Sequence, residues 1–281
     1  MQKVGSTTDT ADANGEWTNG NVAQGVSPTV INAAILNTHQ RELVNIVESA
    51  GMQLDPNDDG QVLKAINKNV GGGRLLNIQT FNTSGIYTPS QGTKFIVVEV
   101  QGAGGGSGGV PETGVSSVAA SGGGGAGAYA KSMINSNFSG VTVTIGAGGL
   151  AGASGGGPGG NGGSSSFGSL IICPGGSGGL TTGFSAVPFP TSRGGSIETA
   201  APTGGNIISA KGKPGGGTTI INETVGTLGF GAASVYSGGG NGGGETGAYG
   251  SGACGVSNFS SHPATSGFAG GAGVVIVWEY T

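Results

Sequence analysis

The residues able to do chemistry are few and scattered. His39 and His262 are the only histidines, and two isolated imidazoles make neither a metal cluster nor a nucleophile–base–acid set. Beyond residue 71 the carboxylates are Glu99, Glu112, Glu198, Glu223, Glu245 and Glu279. A glycosidase needs two of them about 5–10 Å apart in a cleft, and no spacing singles out such a pair. Asp55, Asn57, Asp59 and Gly60 match the opening of a calcium loop, but the position that should supply a bidentate glutamate is Ile66. Helix capping accounts for the same residues. Gly104, Gly106 and Gly109 follow a strand pattern and mimic a dinucleotide fingerprint, yet residues 110–120 lack the helical period that must follow. The same spacing recurs at Gly122, Gly124 and Gly127, so it is cheap in this composition. No catalytic residue, cofactor or metal is therefore expected.

Composition narrows the remaining classes. Of 281 residues 66 are glycine, and only 9% are charged, with a net charge of −4. Such a surface has no electrostatic footprint for nucleic acid and no basic patch for an anionic membrane. Contacts must rest on shape, hydrogen bonds and stacking. No apolar run approaches the roughly 18 residues of a membrane span, and no membrane insertion is expected. The N-terminus shows no secretory pattern, so Cys173 and Cys254 are expected as reduced, packed thiols. Only Gly5, Gly15, Gly20, Gly25, Gly51 and Gly60 precede Gly71. Half of the charged side chains also lie in the first 70 residues. These breaks divide the chain into an attachment segment, 1–70, and a glycine-rich domain, 71–281.

In the first segment, residues 5–26 read as extended chain. Ser27-Pro28 signals a helix start, and apolar spacing of three and four predicts a helix over 29–50, stopped by Gly51. A second helix is predicted with Asp55 as cap and Pro56 at its first position. In the second domain, strands are predicted at 74–80, 86–88, 93–101, 128–134, 141–145, 164–167, 170–173 and 273–280. Short strands with glycine-rich connections predict a mainly β domain, a β-sandwich.

Glycine tracts at 102–109, 121–127, 146–163, 175–179, 215–217 and 238–244 are threaded between these strands. Flexible linkers would sit between domains rather than recur inside one. Collagen requires a strict three-residue period that the tracts break. The third reading is polyglycine II: three-per-turn extended helices, nearly free of side chains, whose amides bond across to neighbours. Ordering a glycine costs about 1–2 kcal/mol or more, so such tracts order only if many cross-chain bonds form together. Flanking strands that anchor the tract ends favour this reading.

Several runs resemble the glycine-rich domain of phage and prophage tail-fibre proteins: 81–89 (FNTSGIYTP), 93–106 (TKFIVVEVQGAGGG), 122–131, 141–149 (VTVTIGAGG), 162–168 and 270–278 (GGAGVVIVW). Residues 14–21 (NGEWTNGN), 40–45 (QRELVN) and 54–59 (LDPNDD) are similar to the N-terminus of short tail-fibre proteins of contractile-tailed phages. The resemblance implies a location in the virion tail, often as a homotrimer, and recognition of a host receptor. That receptor is a bacterial surface glycan such as lipopolysaccharide, or an outer-membrane protein. Residues 1–70 would join tail or baseplate proteins.

If glycine forms the scaffold, recognition falls to what interrupts it. The receptor-binding candidates are Phe184, Phe189 and Arg193, stiffened by Pro188 and Pro190, with Tyr249, Phe259 and His262. Rings with few rotatable bonds give contact area at low entropy cost. The competing reading is that they cap the ends of the glycine bundle. Competing functions are a polysaccharide depolymerase and a purely structural glycine-rich fibre.

Overall fold

The computed structural model describes residues 2–181, 185–186, 189–241 and 246–281. The chain forms two compact units, Met1–Arg74 and Leu75–Thr281.

The first unit holds two helices, α1 (Ala33–Ser49) and α2 (Gln61–Val70). The start expected at Ser27-Pro28 is corrected. Residues 29–31 stay extended because loop bonds claim them: Thr18 N donates to Thr29 Oγ1 at 2.8 Å and Val30 N to Thr10 Oγ1 at 2.8 Å. Asn32 is the N-cap instead, its Oδ1 accepting from Ile35 N at 3.2 Å. The stop is as expected. Gly51 takes φ +63°, and Met52 N reaches back to Val47 O while Gly51 N reaches Glu48 O, the paired bonds of a Schellman end. Asp55 does not cap α2. It accepts from Asn57 N in a turn, and the Gln61 side chain bonds its backbone on both sides, so the helix begins after Gly60. Val47, Ala50 and Ala65 form the small core between the helices.

The second unit is mainly β. Its strands are β1 (Leu75–Phe81), β2 (Gly85–Ile86), β3 (Phe95–Gln101), β4 (Ser117–Ala120), β5 (Tyr129–Ile134), β6 (Thr142–Thr144), β7 (Ser165–Phe167) and β8 (Ile171–Cys173). They continue with β9 (Ser185–Ala186), β10 (Thr191–Arg193), β11 (Ile208–Ala210), β12 (Thr218–Ile220), β13 (Gly226–Thr227), β14 (Ser257–Asn258) and β15 (Val274–Tyr280). Two antiparallel sheets face each other, β1-β15-β3-β5-β11 and β2-β6-β7-β8. Alternation sends one side of each strand inward. In the first sheet Val277 pairs with Val98 and Val275 with Val100. Their side chains meet Val143, Phe167, Ile171 and Cys173 of the second sheet, with Tyr87 in the same core. This is the sandwich the short strands predict.

The glycine tracts continue the strands outward from this sandwich. The tract 102–110, following β3, is buried throughout. Its amides donate in rotation to three neighbours. Gly102 and Gly105 reach Ala128 and Gly125; Ala103, Gly106 and Gly109 reach Gly163, Gly160 and Gly157; Gly104, Ser107 and Val110 reach Gly271, Phe268 and Thr265. Its carbonyls accept from Gly149 and Gly152, from Gly176 and Gly179, and from Ala253. Residues three apart face the same neighbour, the signature of a threefold helix surrounded by others. The tract 121–128 repeats the rotation. Ser121, Gly124 and Gly127 donate to Val256, Ala253 and Gly250; Gly122, Gly125 and Ala128 to Leu180, Ser177 and Pro174; Gly123 and Ala126 to Gly216 and Lys213.

Glycine is required here by distance. A Cβ built on Gly105 would fall on the carbonyl oxygen of Ser177, and one on Gly124 on that of Gly105. Both obstacles are backbone, so neither can swing aside. At Gly238 a Cβ meets nothing within 4 Å. Gly105→Ala or Gly124→Ala should therefore destabilise by about 3 kcal/mol or more, as overpacking does, whereas Gly238→Ala should be near neutral. Denaturant unfolding of the three variants checks this, and amide exchange at Gly105 and Gly124 should be among the slowest in the chain.

Candidate recognition surface

The tract hydrogen bonds set the direction of each segment. Segments 174–180 and 250–256 run alongside 102–110, away from the sandwich, and 212–217 opposes 121–128 and so runs the same way. The chain turns at the far end of this bundle. Two small sheets, β14-β4-β9 and β10-β12-β13, gather there. Val118 and Ala120 of β4 pack against Ile220 of β12.

Four of the predicted receptor residues reach this far end. Phe189 and Phe259 are partly buried against Val118, Ala120 and Ile220, the capping arrangement foreseen as the alternative for such rings. Arg193 is exposed at the end of β10, opposite Thr218. His262 is exposed, three residues beyond Phe259. Tyr249 is not with them. It lies beside Tyr236, Val274 and Ile276 at the sandwich end. Phe184 falls outside the described residues.

The far end also presents residues that the sequence reading did not single out. Three loops are fastened to one another. Thr113 Oγ1 donates to Phe259 O at 2.5 Å, Thr113 N to His262 O at 2.9 Å, and His262 N returns a bond to Thr113 Oγ1 at 3.0 Å. Ser116 N donates to Ser260 Oγ at 3.0 Å and Ser261 N to Gly114 O at 3.0 Å. Asn258 Nδ2 donates to the carbonyls of Pro111 and Pro263 at 3.0 and 2.6 Å. Ser260 N donates to Glu223 O at 3.3 Å and brings in the β12–β13 turn. Ser116 and Ser261 hold φ of 59° and 58°, a left-handed backbone that non-glycine residues adopt only when their surroundings hold them. From this frame Val115 projects 85% exposed, and Ile221 and Val225 are half exposed. These aliphatic side chains carried no periodic signal that would mark them for a surface rather than a core.

Charged chemistry concentrates elsewhere. On the outer face of the large sheet, the nearly buried Glu99 accepts from Lys131 Nζ at 2.9 Å, from Tyr129 at 3.0 Å, and from the Tyr236 hydroxyl. On the inner face, Glu279 is fully buried. It accepts from Tyr87 at 2.8 Å, from Gln79 at 2.7 Å, and from Ser90 N. Register places the two carboxylates on opposite faces of the sheet. Burial works to raise both carboxyls, but the hydrogen bonds outweigh it and hold both below the ordinary value. Burial pushes the Cys173 thiol up to about 12.

Residues 79–280 match the glycine-rich domain family, and the chain belongs to that family. No curated protein matches the sequence.

The carboxyl shifts set a pH window. A carboxyl whose folded pKa is depressed contributes stability above its unfolded value and loses it as pH falls through the folded value. Melting temperature should thus begin to fall below pH about 4.5, the ordinary glutamate value. Glu279→Gln, which keeps an acceptor for Tyr87 and Gln79, should flatten that decline in a pH series of thermal melts.

Proposed function

We propose that this chain is a non-enzymatic subunit of a bacteriophage tail fibre, or of a phage-derived particle, that binds a bacterial surface receptor with the far end of its glycine bundle. The observation that carries the reading is the set of three mutually bonded loops at that end. Such a surface meets a partner without first losing loop entropy, and the buried glycine lattice behind it supplies a rigid mount. The order of sequence resemblances, attachment segment first and glycine-rich domain second, supports a tail location.

In this reading the receptor is lipopolysaccharide or an outer-membrane protein. A homotrimer would multiply a weak single contact by effective concentration. Residues 1–70 dock on tail or baseplate proteins. Support for that role comes from apolar side chains left exposed on the first unit, including Val22, Ile31, Leu36, Leu43 and Leu63.

Adsorption of the labelled full-length protein to a panel of bacterial strains tests the proposal. Saturable adsorption to some strains is expected, blocked by either purified lipopolysaccharide or outer-membrane protein. The double variant Val115→Asp, Ile221→Asp changes only exposed positions, so its fold should survive while affinity falls at least about tenfold, or about 1.4 kcal/mol. Absence of saturable adsorption to any strain would overturn the reading. New reducing ends on incubation with host polysaccharide would replace it with a depolymerase.

A further inference from the structure

Tyr249, separated from the other candidate rings, lines a small hollow of its own. The hollow has a volume of about 230 Å³ and is lined by Thr80, Asn82, Tyr236, Tyr249, Val274 and Ile276. That is below the roughly 300–1,000 Å³ of sites that take drug-sized ligands, and it suits a single ring. Its floor is apolar, from Val274 and Ile276 of β15. Among the described residues its lining carries no charged side chain. Glu99, which pairs with Ile276 across the sheet, is already matched by Lys131 and two tyrosines.

Both rings are set in place before any ligand arrives. The Tyr236 hydroxyl is anchored on Glu99, and its ring stands edge-on to Tyr129 at 6.1 Å and 69°. Tyr249 is 48% exposed and sits at φ +33°, a conformation that disfavours a side chain. Its carbonyl is held by Ser234 Oγ at 2.7 Å, and the same hydroxyl accepts from Tyr236 N at 3.2 Å. One serine thus fixes the spacing of both tyrosines. Strained non-glycine backbone that is locked in this way marks sites with a use. At the rim, Thr80 and Asn82 are exposed, and among the described residues neither side chain has a hydrogen-bond partner.

The geometry points to a binding site for a neutral pyranose. A sugar ring has an apolar C–H face, which packs on tyrosine rings and aliphatic floor, and an equatorial belt of hydroxyls, which needs donors and acceptors such as Thr80, Asn82 and the Tyr249 hydroxyl. An uncharged lining selects against sialic or uronic acids, whose carboxylates would find no cation there. This site stands apart from the loops at the far end and does not depend on their role.

Saturation-transfer NMR on the full-length protein, with methyl glycosides of glucose, galactose, mannose and N-acetylglucosamine and with methyl glucuronide, reads the site directly. Transfer to at least one neutral glycoside is expected, with Kd on the order of 1 mM, and none to the glucuronide. Tyr249→Gly removes the ring where glycine accepts the backbone conformation, and Asn82→Ala removes only an exposed amide. Each should weaken binding about tenfold, whereas the far-end double variant should leave it unchanged. No transfer to any neutral pyranoside, or transfer undiminished in Tyr249→Gly, would overturn the proposal. Loss of bacterial adsorption in the far-end variant with sugar binding intact would leave it standing.

Discussion

The second unit depends on one constraint: extended backbones must approach closely enough for an amide on one to reach a carbonyl on the next in several directions at once. In a β-sheet each strand bonds to two neighbours, and side chains keep the sheets about 10 Å apart. Tract 102–110 instead donates to three neighbours and accepts from others, which is open only to a chain without Cβ atoms at the contact points. The obstacle a methyl group would meet at Gly105 or Gly124 is another main chain. Hydrophobic burial supplies little in such a lattice. What favours it is dense satisfaction of buried backbone groups, each costly to leave unpaired.

That lattice has a high entropic threshold, and the sandwich lowers it. Every glycine ordered loses more freedom than any other residue. The two central tracts join strands of the large sheet: 102–110 leaves β3, and 121–128 enters β5. Those strands are already paired through residues 96–101 and 129–134. The apolar core of Val98, Val100, Val275 and Val277 against Phe167 and Ile171 therefore holds the tract roots at bonding distance. At the opposite end Val118, Ala120 and Ile220, covered by Phe189 and Phe259, close the bundle. Two apolar plugs and a polar lattice between them share the work of folding, and the loops at the far end inherit their rigidity from both.

The parts legible in sequence were those whose signal is local. Thr142–Thr144 alternates and is a strand; Gly51 stops α1; the valine-rich runs are the central strands of the large sheet. The start of α1 was illegible because Thr10 and Thr29 commit residues 29–31 to distant loop bonds. The stretches 228–233 and 250–256 lie outside the glycine tracts read from the sequence, yet they join the lattice through Gly229, Gly231 and Gly252. Lattice membership is decided by which residues lie at crossing points, not by glycine density. The same reason hid the far-end surface. Val115 and Ile221 are exposed while Phe189 and Phe259 are covered, an ordering set by how the bundle ends rather than by side-chain type.

The residues that interrupt the glycine inside the tracts solve a problem the lattice creates. Threefold helices of pure glycine could slide past one another by three residues and regain every backbone bond, just as flat, featureless strands are weakly specified in register. Side chains remove that degeneracy. Ser121 sits where its Oγ donates to Gly108 O at 2.6 Å and accepts from Val256 N at 2.9 Å, while Thr218 Oγ1 donates to the Ser121 carbonyl at 2.5 Å. Ser107 Oγ accepts from Phe268 N at 2.9 Å, and Thr199 Oγ1 donates to Ala126 O at 2.8 Å. Each of these bonds exists in one register only. The small hydroxyls therefore act as indexing pins in a lattice that is otherwise periodic, and the loops at its far end meet in a fixed arrangement because the tracts that carry them cannot slip.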